Sequence, residues 1–480
     1  MSDWASIWDI VPPYAFQEKL GSRSARMMAS RSRLVCSGWA AALHIPTLRV
    51  HSEPPKRAPR YSRILDGAKS LSWVRPPKCM SGMSCLKNLR SLTLNYLRLI
   101  FDPEDHESSL DLSDILLSDD TCPARLERLT VTYCLLKTDE LRHIGRLRAL
   151  EHLNLSDANL DDSALAFLSP LSSLRSLDVS GNRRVTDAGL ASLPASLTDL
   201  NISLCRVTDA GLALLRPSLA ALRLNNCQLV TDAGLGHLAR VATLGINYCM
   251  GVTGSGLAAL VAVRSLRVSR TGYGAARGFS DPEFAPGGLA TLSRLEYLDL
   301  SGCVLSEPLS IPTLTSLDMR GGSGLPNMRL PALARLRVYG SIDSVAELRP
   351  FGRTLAHLQV DASRSLVREG LGALGDTLPA LATLKLVFAF DQSEDLELAP
   401  IKTHFPALTS LDVSGLAVED ADLVHMSHLS SLDLSFCSSV TGAGLAHLTR
   451  LSSVRLLNCH GIADKMAIEA LWKTVPHVEF

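Results

Sequence analysis

Cysteine and histidine are the side chains of this sequence that could most readily carry chemistry, as metal ligands or as a nucleophile and its base. The chain has 11 cysteines and 13 histidines among 480 residues. A zinc site needs such residues in closely spaced pairs, and no pair has that spacing; Cys79 and Cys85 come nearest. The cysteines instead recur at one position of a repeated pattern, which predicts a structural role.

Short motifs of catalytic sites are also missing. The sequence has no phosphate-binding GxxxxGK(S/T) loop, no HExxH pair, no GxSxG turn and no dinucleotide glycine fingerprint in a strand-to-helix setting. His143, His237 and His447 fall in predicted helical segments, as solvated or helix-end residues. Paired carboxylates are frequent only from Asp102 to Asp120, where repulsion favours a solvated loop. We therefore predict a protein that is not an enzyme, with no catalytic residues, no metal and no cofactor.

Composition and charge exclude two further classes of partner. The 48 basic and 48 acidic residues cancel, so a protein-wide attraction to nucleic acid or anionic lipid is not expected. The longest apolar run, Leu257 to Val263, is far shorter than the ~20 residues that span a bilayer. With no signal-peptide pattern in the first residues, we expect a folded cytoplasmic and/or nuclear protein that binds neither nucleic acid nor membrane.

Internal repeats dominate the chain and must position any functional residue. LRSLDVSGNRRVTDAGLASL, LTDLNISLCRVTDAGLALL and LAALRLNNCQLVTDAGLGHL follow one another, and the middle leucine of each LxxLxL serves as a marker. The markers recur at a nearly constant interval at Leu153, Leu177, Leu200, Leu222, Leu244 and Leu266. Further markers are Leu48, Leu71, Leu92, Leu129, Leu298, Leu317, Leu336, Leu358, Leu384, Leu411, Leu432 and Val454.

Each repeat predicts one short strand, a bend and a helical back segment. No repeat can bury its apolar face alone, so stacked neighbours form a continuous core and a parallel inner sheet. Threonine before the helical leucines, at Thr186, Thr208, Thr231, Thr253 and Thr441, is predicted to cap the helices. The aspartate that follows suits the positive end of the helix.

Seven cysteines each lie five residues past a marker, where Asn182 occurs in another repeat. A small side chain at this bend can pack inward and satisfy backbone groups, so we predict a structural ladder. The seven are Cys134, Cys205, Cys227, Cys249, Cys303, Cys437 and Cys459.

The pattern resembles the cysteine-containing class of leucine-rich repeats, from about Leu126 to Leu260 and from Leu408 to Leu471. The fold class implied is an α/β solenoid, a leucine-rich-repeat horseshoe with a parallel inner sheet. From Leu298 to Leu336 the markers follow one another more closely than elsewhere, which predicts extended or tightly turned backs. We expect residues 47–480 to form this solenoid, with insertions near 101–122, 271–290 and 388–405 as loops that either bind a partner or are solvated.

The first 46 residues do not fit the repeat and contain the motifs WDIVPP and RLVCSGW. These motifs, and the separation of Pro12 from Trp39 along the chain, resemble an F-box, a short helical module. The resemblance implies a substrate-recognition subunit of a cullin-type (SCF) ubiquitin ligase, which serves ubiquitin-dependent protein catabolism, with a Skp-type adaptor and the cullin complex as partners. The implied adaptor-binding residues are Trp8, Val11, Pro12, Phe16, Leu20, Leu34, Val35 and Trp39.

Two other interpretations stay open. Residues 1–46 could form only a cap over the end of the solenoid, with the chain a protein-interaction scaffold that has no ubiquitin connection. The chain could also be an inhibitor that resembles the leucine-rich ribonuclease inhibitors, although its balanced charge argues against a strongly basic target.

Strand residues that alternate with the core leucines face the inner wall and are the candidates for binding an unknown target protein. In the early repeats they are small and polar. Three neighbouring repeats supply arginine and tyrosine, the types enriched at binding hot spots. The predicted target-binding residues are Arg320, Arg335, Arg337, Tyr339, His357 and Gln359, whose positive charge suits an acidic or phosphorylated segment.

Overall fold

The computed structural model describes twelve stretches of the chain, which fall into two compact units, Met1–Val241 and Ala242–Phe480. The described residues are 9–10, 47–50, 70–74, 89–95, 125–269, 286–305, 308–339, 342, 344–361, 364–387, 397–462 and 475–479.

The sheet of Met1–Val241 is parallel throughout, and its register pairs each marker leucine with the next. Leu153 lies opposite Leu177, and Leu177 opposite Leu200. The strands alternate buried and half-buried residues, so the marker leucines face the core while their neighbours face solvent. The described strands are β1 (Asp9–Ile10), β2 (Thr47–Val50), β3 (Ser70–Val74), β4 (Ser91–Asn95), β5 (Arg128–Thr132), β6 (His152–Asn154), β7 (Ser176–Asp178), β8 (Asp199–Asn201) and β9 (Ala221–Arg223).

Strand β1 lies within the segment for which the sequence predicts a helical module. Its two residues pair in parallel with Arg49 and Val50 of β2, and thereby extend the sheet by one strand. The rest of the predicted module, residues 1–8 and 11–46, lies outside the described residues.

The sheet of Ala242–Phe480 is likewise parallel, with marker paired to marker. Its described strands are β10 (Thr243–Gly245), β11 (Ser265–Arg267), β12 (Tyr297–Asp299), β14 (Ser316–Asp318), β16 (Arg335–Val338), β17 (His357–Asp361), β18 (Thr383–Val387), β19 (Ser410–Asp412), β20 (Ser431–Asp433), β21 (Ser453–Arg455) and β22 (His477–Glu479). Strand β22 adds one strand after the last predicted marker.

The short repeats from Leu298 to Leu336 have extended backs, as the close spacing of their markers predicts. Strands β13 (Leu309–Ser310) and β15 (Met328–Arg329) pair in parallel and form a separate two-stranded sheet. Leu309 and Met328 are both buried, so this back sheet closes the core where the repeats are too short for an α-helix.

Helices form the backs of the other described repeats, and one short 3₁₀ helix, Leu325–Asn327, directly precedes β15 within the short repeats. The α-helices are α1 (Thr138–Ile144), α2 (Asp162–Ala166), α3 (Asp187–Leu190), α4 (Asp209–Ala213), α5 (Asp232–Leu235), α6 (Arg364–Thr377), α7 (Ile401–His404), α8 (Asp420–Leu423) and α9 (Gly442–Leu445). The 3₁₀ helices are η1 (Gly236–Leu238), η2 (Ser255–Ala259), η3 (Pro286–Thr291), η4 (Leu325–Asn327), η5 (Val345–Phe351) and η6 (Val424–Met426).

Two of the predicted insertions end inside these back segments. Helix η3 covers the end of the 271–290 insertion, and α7 lies in the 388–405 insertion. Leu398, Ile401 and Phe405 are buried, so residues 397–405 belong to the core of a repeat, and the prediction of a loop there was wrong. The apolar spacing of these three residues was hidden by the acidic residues before them.

Threonine caps the helices at four of the five predicted positions. The hydroxyls of Thr186, Thr208, Thr231 and Thr441 accept from backbone amides in the first turn. At Thr253 the prediction was wrong, because the residue at the cap position of η2 is Gly254, which has a φ of 109° and no side chain to cap the helix.

The aspartate at the first position of the helix contacts the neighbouring repeat, a role that the helix-dipole interpretation had missed. Asp187 accepts from the Thr208 amide at 2.8 Å and from the Thr208 hydroxyl at 2.6 Å. The same pair of bonds joins Asp162 to Thr186, Asp209 to Thr231 and Asp420 to Thr441. We call this contact the aspartate–threonine lock; it fastens the back of one repeat to the next.

The lock explains why glycine stands two residues after the aspartate. A Cβ atom added to Gly234 would lie 2.2 Å from the Oδ1 atom of Asp209, and one added to Gly211 would lie 2.1 Å from that of Asp187. Only glycine leaves room for the carboxylate that reaches over from the preceding repeat.

The bend after each strand uses a left-handed backbone, four residues past the marker. Glycine occupies this position at Gly181 and Gly415, but Tyr133, Leu204 and Phe436 also adopt it, with φ of 59°, 64° and 66°. The amides of these residues donate to carbonyls of the following repeat, as Leu204 does to Asn225 at 2.8 Å. This hydrogen bond holds bulky residues in a conformation that is ordinarily unfavourable.

Candidate functional site

The predicted cysteine ladder is confirmed as structural. Cys205 lies 3.4 Å from the Val179 carbonyl oxygen, and Cys303 lies 3.2 Å from that of Val268, so each thiol can donate to the preceding repeat. Asn182 makes more hydrogen bonds than a cysteine at this position: its side chain donates to the carbonyls of Leu155 and Val179 and accepts from two amides. The ladder therefore satisfies backbone groups at the bend, as the sequence predicts.

Burial makes these thiols poor nucleophiles. It raises the pKa of Cys205 and of Cys437 to about 12, so neither forms thiolate near neutral pH.

We expect both to resist iodoacetamide at pH 8 in the folded protein, and half-buried Cys459 to react first among the seven. Peptide mass spectrometry after timed labelling checks this. Equal labelling of Cys205 and Cys459 would contradict it, and full labelling in denaturant is the control.

Metal and membrane sites receive no support from the described residues. These residues contain no cluster of three or more histidine, cysteine, aspartate or glutamate side chains arranged to hold a metal ion. Nor does any described helix have the length and apolar character needed to cross a bilayer.

On Met1–Val241, the solvent-facing side of the sheet is polar and largely satisfied by its own contacts. Asn201 donates to Asp178 at 2.8 Å, and Asp178 also accepts from the Ser180 hydroxyl at 2.6 Å. Arg223 lies 3.5 Å from Asp199. Such small, mutually bonded side chains offer a partner few anchors.

On Ala242–Phe480, the six predicted target-binding residues come together on the solvent-facing side of the sheet. Arg335 lies opposite His357 and Arg337 opposite Gln359 in the register of β16 and β17, while Arg320 follows the end of β14. We call these six residues the arginine patch: Arg320, Arg335, Arg337, Tyr339, His357 and Gln359.

Two buried carboxylates lie beneath this patch, and the sequence analysis missed them. Asp318 is only 1% exposed, and its Oδ1 atom lies 2.8 Å from Nε of Arg320. Arg337 approaches the other oxygen of Asp318 to 3.9 Å. The Ser301 hydroxyl lies 2.6 Å from Asp299 and 3.1 Å from Asp318. The alternation with Leu317 predicts that Asp318 lies on the solvent-facing side of the sheet. Its burial depends on the side chains that pack around it, which the alternation does not predict.

The arginines stay exposed while the carboxylates do not. The side chains of Arg320 and Arg337 are 49% and 58% exposed, against 2% for Asp318. Arg335 is also exposed, and it has no ion-pair partner within the part of the chain that the structure describes. The patch therefore presents positive charge to solvent, with Arg320 held by its hydrogen bond to Asp318.

Tyrosine and histidine in the patch are uncharged near neutral pH. Burial raises the pKa of Tyr339, whose hydroxyl is hydrogen-bonded by Gln359. Burial, and after it the charge of Arg335, lowers the pKa of His357 below its ordinary value. Both side chains thus act as hydrogen-bonding groups beside fixed cationic charge.

The sheet face beside the patch resembles it on one side and differs from it on the other. The Arg267 guanidinium lies 5.4 Å from the ring centre of Tyr297, and this pair, also missed, extends the arginine and tyrosine surface. Towards the last strands, Lys385 pairs with Asp412, and Arg455 lies between Asp433 and Glu479 at 3.2 and 2.7 Å. Two cations here face three carboxylates, so this part of the sheet presents no excess of positive charge.

The eight adaptor-binding residues implied by the F-box resemblance lie outside the described residues. They are Trp8, Val11, Pro12, Phe16, Leu20, Leu34, Val35 and Trp39.

Comparison with known protein families agrees with the repeat architecture. The family model described as "Leucine Rich repeat" matches residues 171–193, 194–215 and 425–449. No curated protein matches the sequence. Among solved structures, an internalin (inlF) from Listeria monocytogenes is similar at 17% identity over 87% of this chain and 88% of that one, with a TM-score of 0.30. The chain therefore carries leucine-rich repeats stacked through a parallel sheet.

Proposed function

We propose that this chain is a non-catalytic scaffold that binds a target protein through the arginine patch. The observation that supports this most directly is the exposure of Arg335 and Arg337 on a sheet whose backbone is held by ladder bonds on both sides. Arginine and tyrosine on a rigid surface bind with little loss of conformational freedom. Towards the last strands of Ala242–Phe480, by contrast, the cationic side chains pair with carboxylates of the same sheet.

An affinity capture with three matched baits tests this function. The baits are the unmodified chain, Arg335→Glu in the patch, and Arg353→Glu, which makes the same charge change at an exposed turn after η5. We expect at least one protein to be retained by the unmodified chain and by Arg353→Glu, and lost from Arg335→Glu. Retention of the same proteins by all three baits would overturn the assignment to the patch.

We further propose that the chain acts as the substrate-recognition subunit of a cullin-type ubiquitin ligase, in the cytoplasm and/or nucleus. What supports this is the pair of motifs WDIVPP and RLVCSGW, with Pro12 and Trp39 at an F-box-like separation, followed by repeats. Residues 1–46 would hold a Skp-type adaptor, while the patch holds the target. Its contribution is proximity, since it raises the effective concentration of a target lysine near the transferring enzyme.

Direct binding to a purified Skp-type adaptor tests this second proposal. The full chain is compared with a version that lacks residues 1–46 and with Trp39→Ala, and circular dichroism checks that each stays folded. Binding that depends on Trp39 would support ligase recruitment. A folded full chain that does not bind would leave a scaffold whose first residues act only as a cap.

A further inference from the structure

The charge that the arginine patch presents is arranged in two rows across the strands. One row joins Arg335 of β16 to His357 of β17, and the next joins Arg337 to Gln359. Residues two apart on a strand point to the same face and are separated by about 7 Å. An extended peptide places its alternate side chains at the same spacing, so successive anionic side chains could meet successive rows.

Each row contributes one arginine. Arg335 stands beside a neutral His357, and Arg337 is partly balanced by buried Asp318. A single carboxylate per row matches this distribution, whereas a phosphate dianion would concentrate its charge at one row. Tyr339 and Gln359 add hydrogen-bonding groups at the patch.

We propose that the arginine patch binds an extended acidic peptide segment with carboxylates at alternate positions, one at Arg335 and His357 and the next at Arg337. This inference rests on the proposed target-binding function and specifies the chemistry of the target. Charge-assisted bonds from arginine to carboxylate supply the affinity. Lys385, on the flanking strand, is paired with Asp412, so it adds little free positive charge with which to extend the binding site along the sheet.

Binding of this kind depends on pH through His357. The charged groups beside it are Arg335 on β16 and, diagonally, Lys385 on β18. Its lowered pKa keeps it neutral at pH 7, and a bound carboxylate raises that pKa again. Peptide binding is therefore accompanied by uptake of a proton at His357. We expect the affinity to rise as the pH falls from 7 through the pKa of His357 in the free protein. The affinity falls again where the peptide carboxylates protonate, near pH 4.

Fluorescence anisotropy with labelled synthetic peptides tests the proposal on the full chain. The probes are a peptide alternating glutamate and serine, a peptide alternating lysine and serine, and a peptide of equal net charge that carries phosphoserine in place of the glutamates. We expect binding of the glutamate peptide, weakening with added salt, and no binding of the lysine peptide. Equal binding of the lysine peptide, or tighter binding of the phosphoserine peptide, would overturn the carboxylate assignment.

Matched variants locate the binding site. Arg335→Glu should weaken the glutamate peptide by about tenfold or more, and Arg335→Gln by about threefold to tenfold, since one charge-assisted bond is removed. Arg353→Glu should leave the affinity unchanged. His357→Gln should abolish the rise in affinity between pH 7 and 5.5. Unchanged affinity in Arg335→Glu would refute the site.

The two proposals fail in different ways. If the glutamate peptide does not bind but a captured protein is still lost from Arg335→Glu, the patch binds a target of another chemistry and the acidic-segment inference is wrong. If the peptide binds at the patch but no captured protein depends on Arg335, the preference for an acidic segment is supported and the proposed target-binding function is not.

Discussion

Replacing Gly234 by alanine is expected to lower the free energy of unfolding by about 2–4 kcal/mol, although alanine is the better helix former. The added Cβ atom would lie 2.2 Å from the Asp209 carboxylate, which accepts both the amide and the hydroxyl of Thr231. The carboxylate must move, and both bonds of the lock are lost. Urea unfolding followed by circular dichroism measures the change.

Gly236→Ala is the matched control for Gly234→Ala. Gly236 ends the same short helix with a φ of −56°, and nothing lies within 4 Å of an added Cβ atom. This change should be neutral or stabilise by up to about 1 kcal/mol.

A double-mutant cycle then isolates the lock. In an Asp209→Ala background the obstructing carboxylate is gone, so Gly234→Ala should lose most of its effect. If the effects of the two changes simply add, the clash with Asp209 is not the cause of the glycine requirement.

Asn182→Ala is expected to destabilise the protein by about 3–5 kcal/mol, because it leaves several buried backbone groups without partners. The Asn182 side chain is fully buried and donates to the carbonyls of Leu155 and Val179 at 2.9 and 2.8 Å. It also accepts from the amides of Ala158 and Leu160 at 3.1 and 2.9 Å. Thermal and urea unfolding midpoints measure the loss.

Two further variants show whether these bonds are responsible. Asn182→Cys introduces the residue that other repeats carry, and it should restore part of the stability because a thiol can donate to one carbonyl but cannot accept well from two amides. Cys205→Ala should cost only about 1 kcal/mol, since the Val179 carbonyl keeps its bond from Asn182. An alanine at 182 no more harmful than one at 205 would contradict this account.

The repeat strands could be predicted from the sequence because their signal is local and periodic. Alternation around Leu177, Leu200 and Leu222 predicts which side chains enter the core, and the register pairs these leucines as expected. The same regularity identified the capping threonines and the inward cysteines. Where the period broke, at residues 397–405, acidic neighbours concealed a buried back segment and the prediction of a loop was wrong.

The candidate site was only half predictable. The six patch residues follow from their alternation with Leu317, Leu336 and Leu358, and the structure places them on one face. The counter-charge of Asp318 does not follow from alternation, because its burial is set by Arg320, Ser301 and Arg337 on its own and adjacent repeats. Whether an arginine is neutralised by the fold or available to a partner is a property of neighbouring strands.

The amino-acid sequence by itself determined that this chain builds stacked leucine-rich repeats, because apolar residues at a fixed period need neighbouring repeats to be buried. It also determined which residues face the core and which face solvent. Only the tertiary structure decided that Asp162, Asp187, Asp209 and Asp420 each bond to the next repeat, and which charges on the sheet remain unbalanced. Both depend on distances between atoms of different repeats, such as the 2.6 Å between Asp187 and Thr208, and the spacing of residues within one repeat does not encode them.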